Sequence, residues 1–147
     1  SYAVQGDSAA AGAELGQNGD STLADLATRD AVWAEGGALE FNTIDPKARS
    51  NSITCVRQVG DTDMNAIRTM ARETYNVSLG GGLAALMGKA FRIGHLGSLT
   101  DVMVLSGLAT IEMAMADLDY PITLGSGVAA AQDYFCASRA DALKSAA

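Results

Sequence analysis

The spacing of apolar residues changes between two periods along the chain, and this predicts short strands alternating with longer helices. A period of two is typical of strands, and a spacing of three or four residues is typical of helices that bury one side. The strands are predicted at 38–42, 52–58, 76–79 and 90–94. The helices are predicted at 22–35, 62–75, 98–118 and 126–138. In the helix 62–75 the predicted buried side consists of Met64, Ile67, Met70, Ala71 and Tyr75, and the predicted outward side carries Arg68, Arg72 and Glu73. We therefore expect an α+β domain, with a small, mainly antiparallel sheet of three or four strands covered by helices. A mixed sheet is left open, because helices separate the strands.

The predicted helix 98–118 is apolar on nearly every side. One stripe at helical spacing consists of Val104, Leu108, Ile111, Met115 and Leu118. Val102, Met103 and Met113 lie off that stripe. A helix that is apolar all round needs cover all round, and a chain of 147 residues has little material to provide it. The pattern therefore predicts either a two-fold homodimer or a neighbouring domain that covers these residues.

The start of this helix is predicted from a capping pattern. Ser98 precedes Asp101 by three residues and stands directly before the apolar run. A serine hydroxyl can accept from a backbone N–H of the first turn, while an acidic side chain three residues on reaches back. The helix is therefore expected to begin at Ser98.

Residues 1–20 differ in composition from the rest of the chain. They are rich in Gly, Ala and Ser and show little periodicity, which indicates a mobile arm or a linker remnant. A short helix over 8–15 is the weaker alternative. The domain itself is expected at 21–147.

Composition limits the classes of partner. The chain has 17 acidic and 10 basic residues and a formal net charge of −7, so a basic face for nucleic acid is not expected. No apolar run is long enough to predict a membrane span, and 18% charged residues indicate a soluble protein. Cys55 and Cys136 lie in different predicted elements and are interpreted as buried free thiols in a reducing compartment, the cytoplasm.

Arg92 is the polar residue with the clearest chemistry. It lies in the middle of the predicted strand 90–94, with Ala90 and Gly94 on its own face. A guanidinium presents a rigid fork of donors that matches a carboxylate in a bidentate pair. The residues alone leave two interpretations, a solvated arginine on an exposed sheet face or a carboxylate receptor. The small neighbours fit the second better, because they allow a ligand to approach closely.

Two other patterns contain residues typical of binding sites but do not fit such sites. The run Gly80-Gly81-Gly82, followed by Gly88-Lys89, does not fit a phosphate-binding loop, because five residues separate Gly82 from Gly88 and Ala90 follows the lysine. His95 is the only histidine and has no ligand pattern around it, so no metal site is predicted. We expect a structural role for His95, with a ring nitrogen bonded to backbone near the turn.

Four segments together resemble a known family. They are YNVSLGGGL (75–83), GKAFRIGHLG (88–97), GLATIEMAM (107–115) and GSGVAAAQDYF (125–135). In this order they resemble the C-terminal small domain of class V pyridoxal-phosphate aminotransferases. Within that class they are most similar to the serine–glyoxylate and alanine–glyoxylate aminotransferases. The resemblance covers roughly 45–135.

The resemblance implies roles for particular residues. Arg92 matches the arginine that binds the α-carboxylate of the substrate in that family. Gly80, Gly81 and Gly82 match a loop beside the active-site cleft. The parent enzyme would transfer an amino group from serine or alanine to glyoxylate.

The resemblance also implies what this chain lacks. In the family a lysine of the large N-terminal domain holds pyridoxal phosphate, and Lys47, Lys89 and Lys144 do not lie in such a motif. We therefore expect no cofactor in this chain alone, and no activity without the large domain. Two alternatives without catalysis remain: a stand-alone module that binds small carboxylates, and a structural module that self-associates through the helix 98–118.

Overall fold

The computed structural model describes residues 38–43, 45–48, 50, 52–95 and 97–147. The predicted arm at 1–20 and the predicted helix 22–35 lie outside the described residues. The proposed division of the chain at residue 20 therefore stays a prediction.

The described residues form four strands and three helices. The strands are β1 (Leu39–Phe41), β2 (Ile53–Gln58), β3 (Gly80–Gly81) and β4 (Ala90–Gly94). The helices are α1 (Met64–Tyr75), α2 (Asp101–Asp117) and α3 (Ser126–Ser145). Short 3₁₀ turns occupy Pro46–Ala48 and Ala84–Leu86. The strand predicted at 76–79 is found directly after that segment, at the two glycines of β3.

The sheet has the order β1-β2-β4-β3, and every neighbouring pair is antiparallel. This confirms the predicted α+β class with a small antiparallel sheet, and the described strands contain no parallel pair. Val56 lies opposite Phe91 in the register, and Cys55 lies opposite Arg92. Because side chains alternate between the two faces of a strand, this register separates a core face from an outer face.

The core face of the sheet packs against the helices. The cluster of buried residues includes Leu39, Phe41, Val56 and Phe91 from the strands, together with residues from all three helices. On the outer face lie Ile53, Cys55, Arg57 and Arg92, which are half-buried or exposed. One face of the sheet therefore packs in the hydrophobic core, and the described residues leave the other face open.

Helix α1 follows its predicted pattern closely. Asp63 caps it by accepting from the N–H of Ala66 at 2.9 Å, and Asn76 ends it in the left-handed conformation with φ of 56°. Met64, Ile67 and Ala71 are buried, as the 3.6-residue spacing predicted.

Helix α2 begins three residues later than predicted. Its cap is Thr100, whose Oγ1 accepts from the N–H of Met103 at 3.3 Å, so the capping pattern assigned to Ser98 and Asp101 is wrong. Ser and Thr are both good capping residues, and the apolar pattern does not choose between them. The side chain of Asp101 instead forms an ion pair with Arg139 of α3.

The apolar residues around α2 differ in how far they are buried. The stripe of Val104, Leu108, Ile111 and Met115 is buried. Off the stripe, Met113 is partly covered, whereas Val102 and Met103 remain 74% and 54% exposed. The expectation of uncovered apolar surface thus holds at the start of the helix.

Glu112 is a buried carboxylate inside this apolar helix, only 2% exposed. Its two oxygens accept from the backbone N–H groups of Gly125, at 2.7 Å, and Gly127, at 2.9 Å. Gly125 is the capping residue of α3 and has no side chain of its own to bind these groups. Glu112 therefore supplies the cap for the neighbouring helix and fixes α3 against α2.

We predict that Glu112→Ala lowers the free energy of unfolding by about 2–4 kcal/mol, because two charged hydrogen bonds are lost and two N–H groups are left without an acceptor. Glu73→Ala, at an exposed position of α1, is the matched control and should change stability by less than about 0.5 kcal/mol. Urea unfolding of the three chains measures this. Equal stability of the Glu112 and Glu73 variants would contradict the capping role.

Candidate functional site

Arg92 lies at the centre of β4 on the outer face of the sheet. Cys55 of β2 stands opposite it on one side, and Gly80 of β3 stands opposite it on the other. Phe91, its neighbour in sequence, points into the core and is fully buried. The alternation of β4 therefore places the half-buried guanidinium on the open face, as the sequence predicted for the strand.

A backbone carbonyl holds the Arg92 side chain. Its Nε–H donates to the carbonyl oxygen of Gly81 at 2.8 Å. The N–H of Gly82 bonds to the carbonyl of Ala90 on β4, so the carbonyl of Gly81 points away from β4, toward the outer edge of the sheet. The Arg92 side chain thus crosses β3 to reach that edge.

Gly80 makes this crossing feasible. A Cβ atom at residue 80 would lie 3.4 Å from both Cβ and Nε of Arg92 and 3.5 Å from Nη2. Any longer side chain at this position would meet the guanidinium. Among the described residues, neither Nη group of Arg92 has a hydrogen-bond partner. The arrangement therefore fixes the orientation of the fork and leaves its outer donors available for an anion.

Gly82, the third residue of the glycine run, is needed for a different reason. A Cβ at this position would lie 2.0 Å from the carbonyl oxygen of Leu86, in the turn that follows β3. The structure places Gly80 and Gly81 in a strand beside Arg92 and places Gly82 against that turn. The position of the run beside a cleft stays a prediction.

Arg68 of α1 approaches the same strand from the opposite face. The helical pattern predicted that it faces outward, but it is half-buried. Its Nε donates to the carbonyl of Leu79 at 3.1 Å, and its Nη1 donates to Asn65 Oδ1 at 3.2 Å. A Cβ at Gly81 would lie 3.1 Å from Nη1 of Arg68. No local signal in the sequence reveals this contact, because it depends on how α1 packs beside β3.

The two cysteines are free thiols, as predicted, but their burial was predicted wrongly. Cys136 is exposed because it lies on the outer side of α3, next in sequence to the buried Phe135. Cys55 is half-buried on the outer face of the sheet. Burial raises the pKa of the Cys55 thiol, and the positive charge of Arg92 acts in the opposite direction.

His95 is buried at the end of β4, with 2% of its surface exposed. Its backbone N–H donates to the carbonyl of Ser52, and its ring Nε2 lies 2.9 Å from the hydroxyl oxygen of Thr54. The ring thus contacts a side chain of the neighbouring β2. The expected bond from a ring nitrogen to the backbone stays a prediction. These bonds tie β4 to β2 and support the structural role. The part of the chain that the structure describes contains no cluster of His, Cys, Asp and Glu able to hold a metal ion.

The contact between Cys55 and Arg92 predicts a measurable change in thiol reactivity. Replacing Arg92 by Gln removes the charge that favours the thiolate, so the pKa of Cys55 should rise further and its alkylation should require a higher pH. Arg72→Gln, on the exposed side of α1, is the control. The measurement is the pH profile of iodoacetamide labelling of Cys55, followed by mass spectrometry. An identical pH midpoint in wild type and in Arg92→Gln would show that the two groups do not interact.

Comparisons with known proteins find relatives among aminotransferases. The chain is 51% identical over 119 residues to an L-aspartate–glyoxylate aminotransferase of Paracoccus denitrificans, covering 81% of this chain and 30% of that protein. It is 44% identical over 108 residues to a serine–glyoxylate aminotransferase of Arabidopsis thaliana, covering 74% of this chain and 26% of that protein. The chain thus spans less than a third of the length of these relatives. No family model matches the chain.

Solved structures agree with the sequence relatives. A pyridoxamine–pyruvate aminotransferase of Mesorhizobium loti superposes with a TM-score of 0.69 at 26% identity, over 81% of this chain and 30% of that one. A ureidoglycine–glyoxylate aminotransferase of Bacillus subtilis gives a TM-score of 0.68 at 25% identity, over 79% of this chain and 29% of that one. Within the described residues, no helix is long and apolar enough to cross a membrane. The chain belongs to the class V aminotransferases that include the serine–glyoxylate and alanine–glyoxylate enzymes, which confirms the resemblance of its four motifs.

Proposed function

We propose that this chain is the C-terminal small domain of a pyridoxal-phosphate aminotransferase that uses glyoxylate as its amino acceptor. Glyoxylate is named as a substrate in both sequence relatives and in the Bacillus subtilis protein. The proposed amino donor is serine or alanine, as the motifs imply. Aspartate is a further candidate, since the Paracoccus relative is named for it. The large domain of the enzyme would complete the active site.

The orientation of Arg92 is the observation that carries this proposal. Its Nε is held by the carbonyl of Gly81, and Nη2 lies over Gly80 on the open sheet face. Such a fork can bind an α-carboxylate through two parallel hydrogen bonds, and it cannot lose its charge at neutral pH. We assign to Arg92 the binding and orientation of the carboxylate shared by amino acids and glyoxylate.

The residues of this chain do not fit pyridoxal phosphate itself. Attachment of this cofactor needs a lysine in an enclosed site, where surrounding groups hold its phosphate and its ring nitrogen. Lys47 and Lys89 are exposed, and the side chain of Lys144 is 81% exposed near the end of α3. We therefore derive no step of the reaction through the cofactor. The contribution proposed for this domain is recognition of the substrate carboxylate.

Two open surfaces of the domain are proposed to be covered in the assembled enzyme. The outer sheet face around Ile53 and Arg92 would face the large domain, because the substrate must lie between the carboxylate receptor and the cofactor. The second surface is formed by the exposed Val102 and Met103 in the first turn of α2. Met103 also lines an apolar groove of about 180 Å³ with Ile93 and Leu99. We propose that in the isolated chain this second surface is buried by a second copy.

This second proposal predicts a dimer of the isolated chain at micromolar concentration. The double substitution Val102→Asp and Met103→Glu should shift sedimentation to the monomer, because it places charges in the interface. Leu143→Glu, at another exposed apolar residue on α3, is the control and should remain dimeric. A wild-type chain that sediments as a monomer would contradict self-association.

The carboxylate role is tested in a chimaeric enzyme. The matching segment of the Paracoccus aminotransferase is replaced by this chain, to which it is 51% identical, and activity with glyoxylate is measured for serine, alanine and aspartate. In an active chimaera, Arg92→Lys should reduce kcat/KM by roughly 10- to 150-fold, equivalent to about 1.5–3 kcal/mol, because lysine cannot present the planar fork. Arg72→Lys, on exposed α1, is the control and should leave kcat/KM unchanged.

Three results would count against the proposal. Unchanged kinetics in Arg92→Lys would remove the assigned role of Arg92. An active chimaera that accepts other keto acids but not glyoxylate would show that the acceptor is wrong. A folded, cofactor-loaded chimaera without transaminase activity, combined with glyoxylate binding by the chain alone in calorimetry, would favour the stand-alone carboxylate-binding module.

A further inference from the structure

The outer edge of β3 carries two backbone carbonyls that none of the described strands pairs. Since the N–H of Gly82 faces β4, the carbonyls of Leu79 and Gly81 both point to the free edge. Unpaired edge groups normally bind water or invite another strand. Here each is bonded by an arginine side chain, with Arg68 on the carbonyl of Leu79 and Arg92 on the carbonyl of Gly81.

The two arginines reach this edge from opposite faces of the sheet. Residues 80 and 81 point to opposite faces, and each is a glycine against which one arginine packs. Arg92 crosses Gly80 on the outer face, while the guanidinium of Arg68 lies against Gly81 on the helix side. The two-residue strand is thus held between two guanidinium groups that bond successive carbonyls of the same edge.

We propose that Arg68 is a positioning residue for Arg92. It joins α1 to the segment 79–81, and this segment supplies the carbonyl that orients Arg92. Without Arg68, the segment 79–81 keeps its hydrogen bonds to β4 and the packing of Leu79 in the core, but it loses its hydrogen bond to α1, so the carbonyl of Gly81 is less firmly placed. Arg68 does not touch the substrate in this proposal. The consequence for substrate binding rests on the proposed function, whereas the mechanical link between the two arginines does not.

The donors of Arg68 support this role over an anion receptor of its own. Arg68 and Arg72 line a polar cavity of about 340 Å³ beside α1. Two positive charges in one cavity suggest a binding site for an anion. However, Nε and Nη1 of Arg68 are already bonded to Leu79 and Asn65, and Arg72 is paired with Glu73 at 3.2 Å. Nε of Arg68 is therefore used to hold the segment before β3, and Nη1 is used within α1.

The link is tested by NMR on the full 147-residue chain. Arg68→Met keeps the length of the stem and removes its donors, and Arg72→Met is the matched control one turn along α1. The readout is the exchange with water of the Arg92 Nε–H, which is bonded to Gly81. We expect about tenfold faster exchange in Arg68→Met and no change in Arg72→Met, the size expected for weakening one charged hydrogen bond. If Arg68→Met does not fold, Arg68→Lys replaces it in the test. This variant keeps the charge but loses the planar fork, and it should also speed exchange of the Arg92 Nε–H.

If the Arg92 Nε–H in a folded Arg68 variant exchanges as slowly as in the wild type, the proposal is overturned. Equally fast exchange in Arg72→Met would overturn it too, because the effect would then belong to α1 as a whole. In the chimaera, Arg68→Met should raise KM several-fold with kcat little changed, and should have no further effect once Arg92 is Lys. An equal rise of KM in both backgrounds would show that Arg68 acts without Arg92.

These outcomes separate the positioning link from the proposed function. If Arg92→Lys leaves the kinetics unchanged while Arg68→Met still speeds exchange at Arg92, the carboxylate role fails and the positioning link stands. If exchange is unaffected while Arg92→Lys lowers kcat/KM, the carboxylate role stands and the positioning link fails.

Discussion

The hydrogen bond from Nε of Arg92 to the carbonyl of Gly81 is the interaction on which the site depends. A guanidinium on a flexible stem recognises a carboxylate well only if its fork is already oriented, because ordering a long side chain costs conformational entropy. The bond to Gly81 provides that order before any ligand arrives. It requires a neighbouring strand with no side chain larger than a methyl group at residue 80 and a carbonyl turned to the sheet edge. The glycine run therefore acts as a support for Arg92 rather than as a binding loop of its own.

The rest of the fold keeps this support in place. Phe91 and Val56 anchor β4 and β2 in the core, so the register that sets Arg92 beside Cys55 and Gly80 is fixed by burial on the other face. His95 adds a polar tie from the end of β4 to β2. On the helical side, the carboxylate of Glu112 fixes α3 to α2. Among the described residues, the main hydrophobic cluster thus packs against the face of the sheet opposite to Arg92.

The sequence was a good guide where a local pattern decides the outcome. The alternation around Phe91 located β4 and the face of Arg92, and the stripe from Met64 to Ala71 located α1, because burial alternates with the period of the element. It failed where two local signals compete or where tertiary contacts decide. Thr100 and Ser98 are equivalent capping residues, and the roles of Glu112 and Arg68 depend on elements distant in sequence. The pairing of Arg92 with Gly81 belongs to the same class, since a run of glycines does not reveal which side chain will cross it.

The most direct measurement is the scalar coupling across the hydrogen bond between Nε of Arg92 and the carbonyl carbon of Gly81, in the isotopically labelled chain. We expect a resolved correlation that joins these two groups, with no such correlation for the exposed Arg72. An Arg92 Nε–H signal that shows no coupling to Gly81, and exchanges with water as fast as that of Arg72, would contradict the claim that the glycine strand orients this arginine.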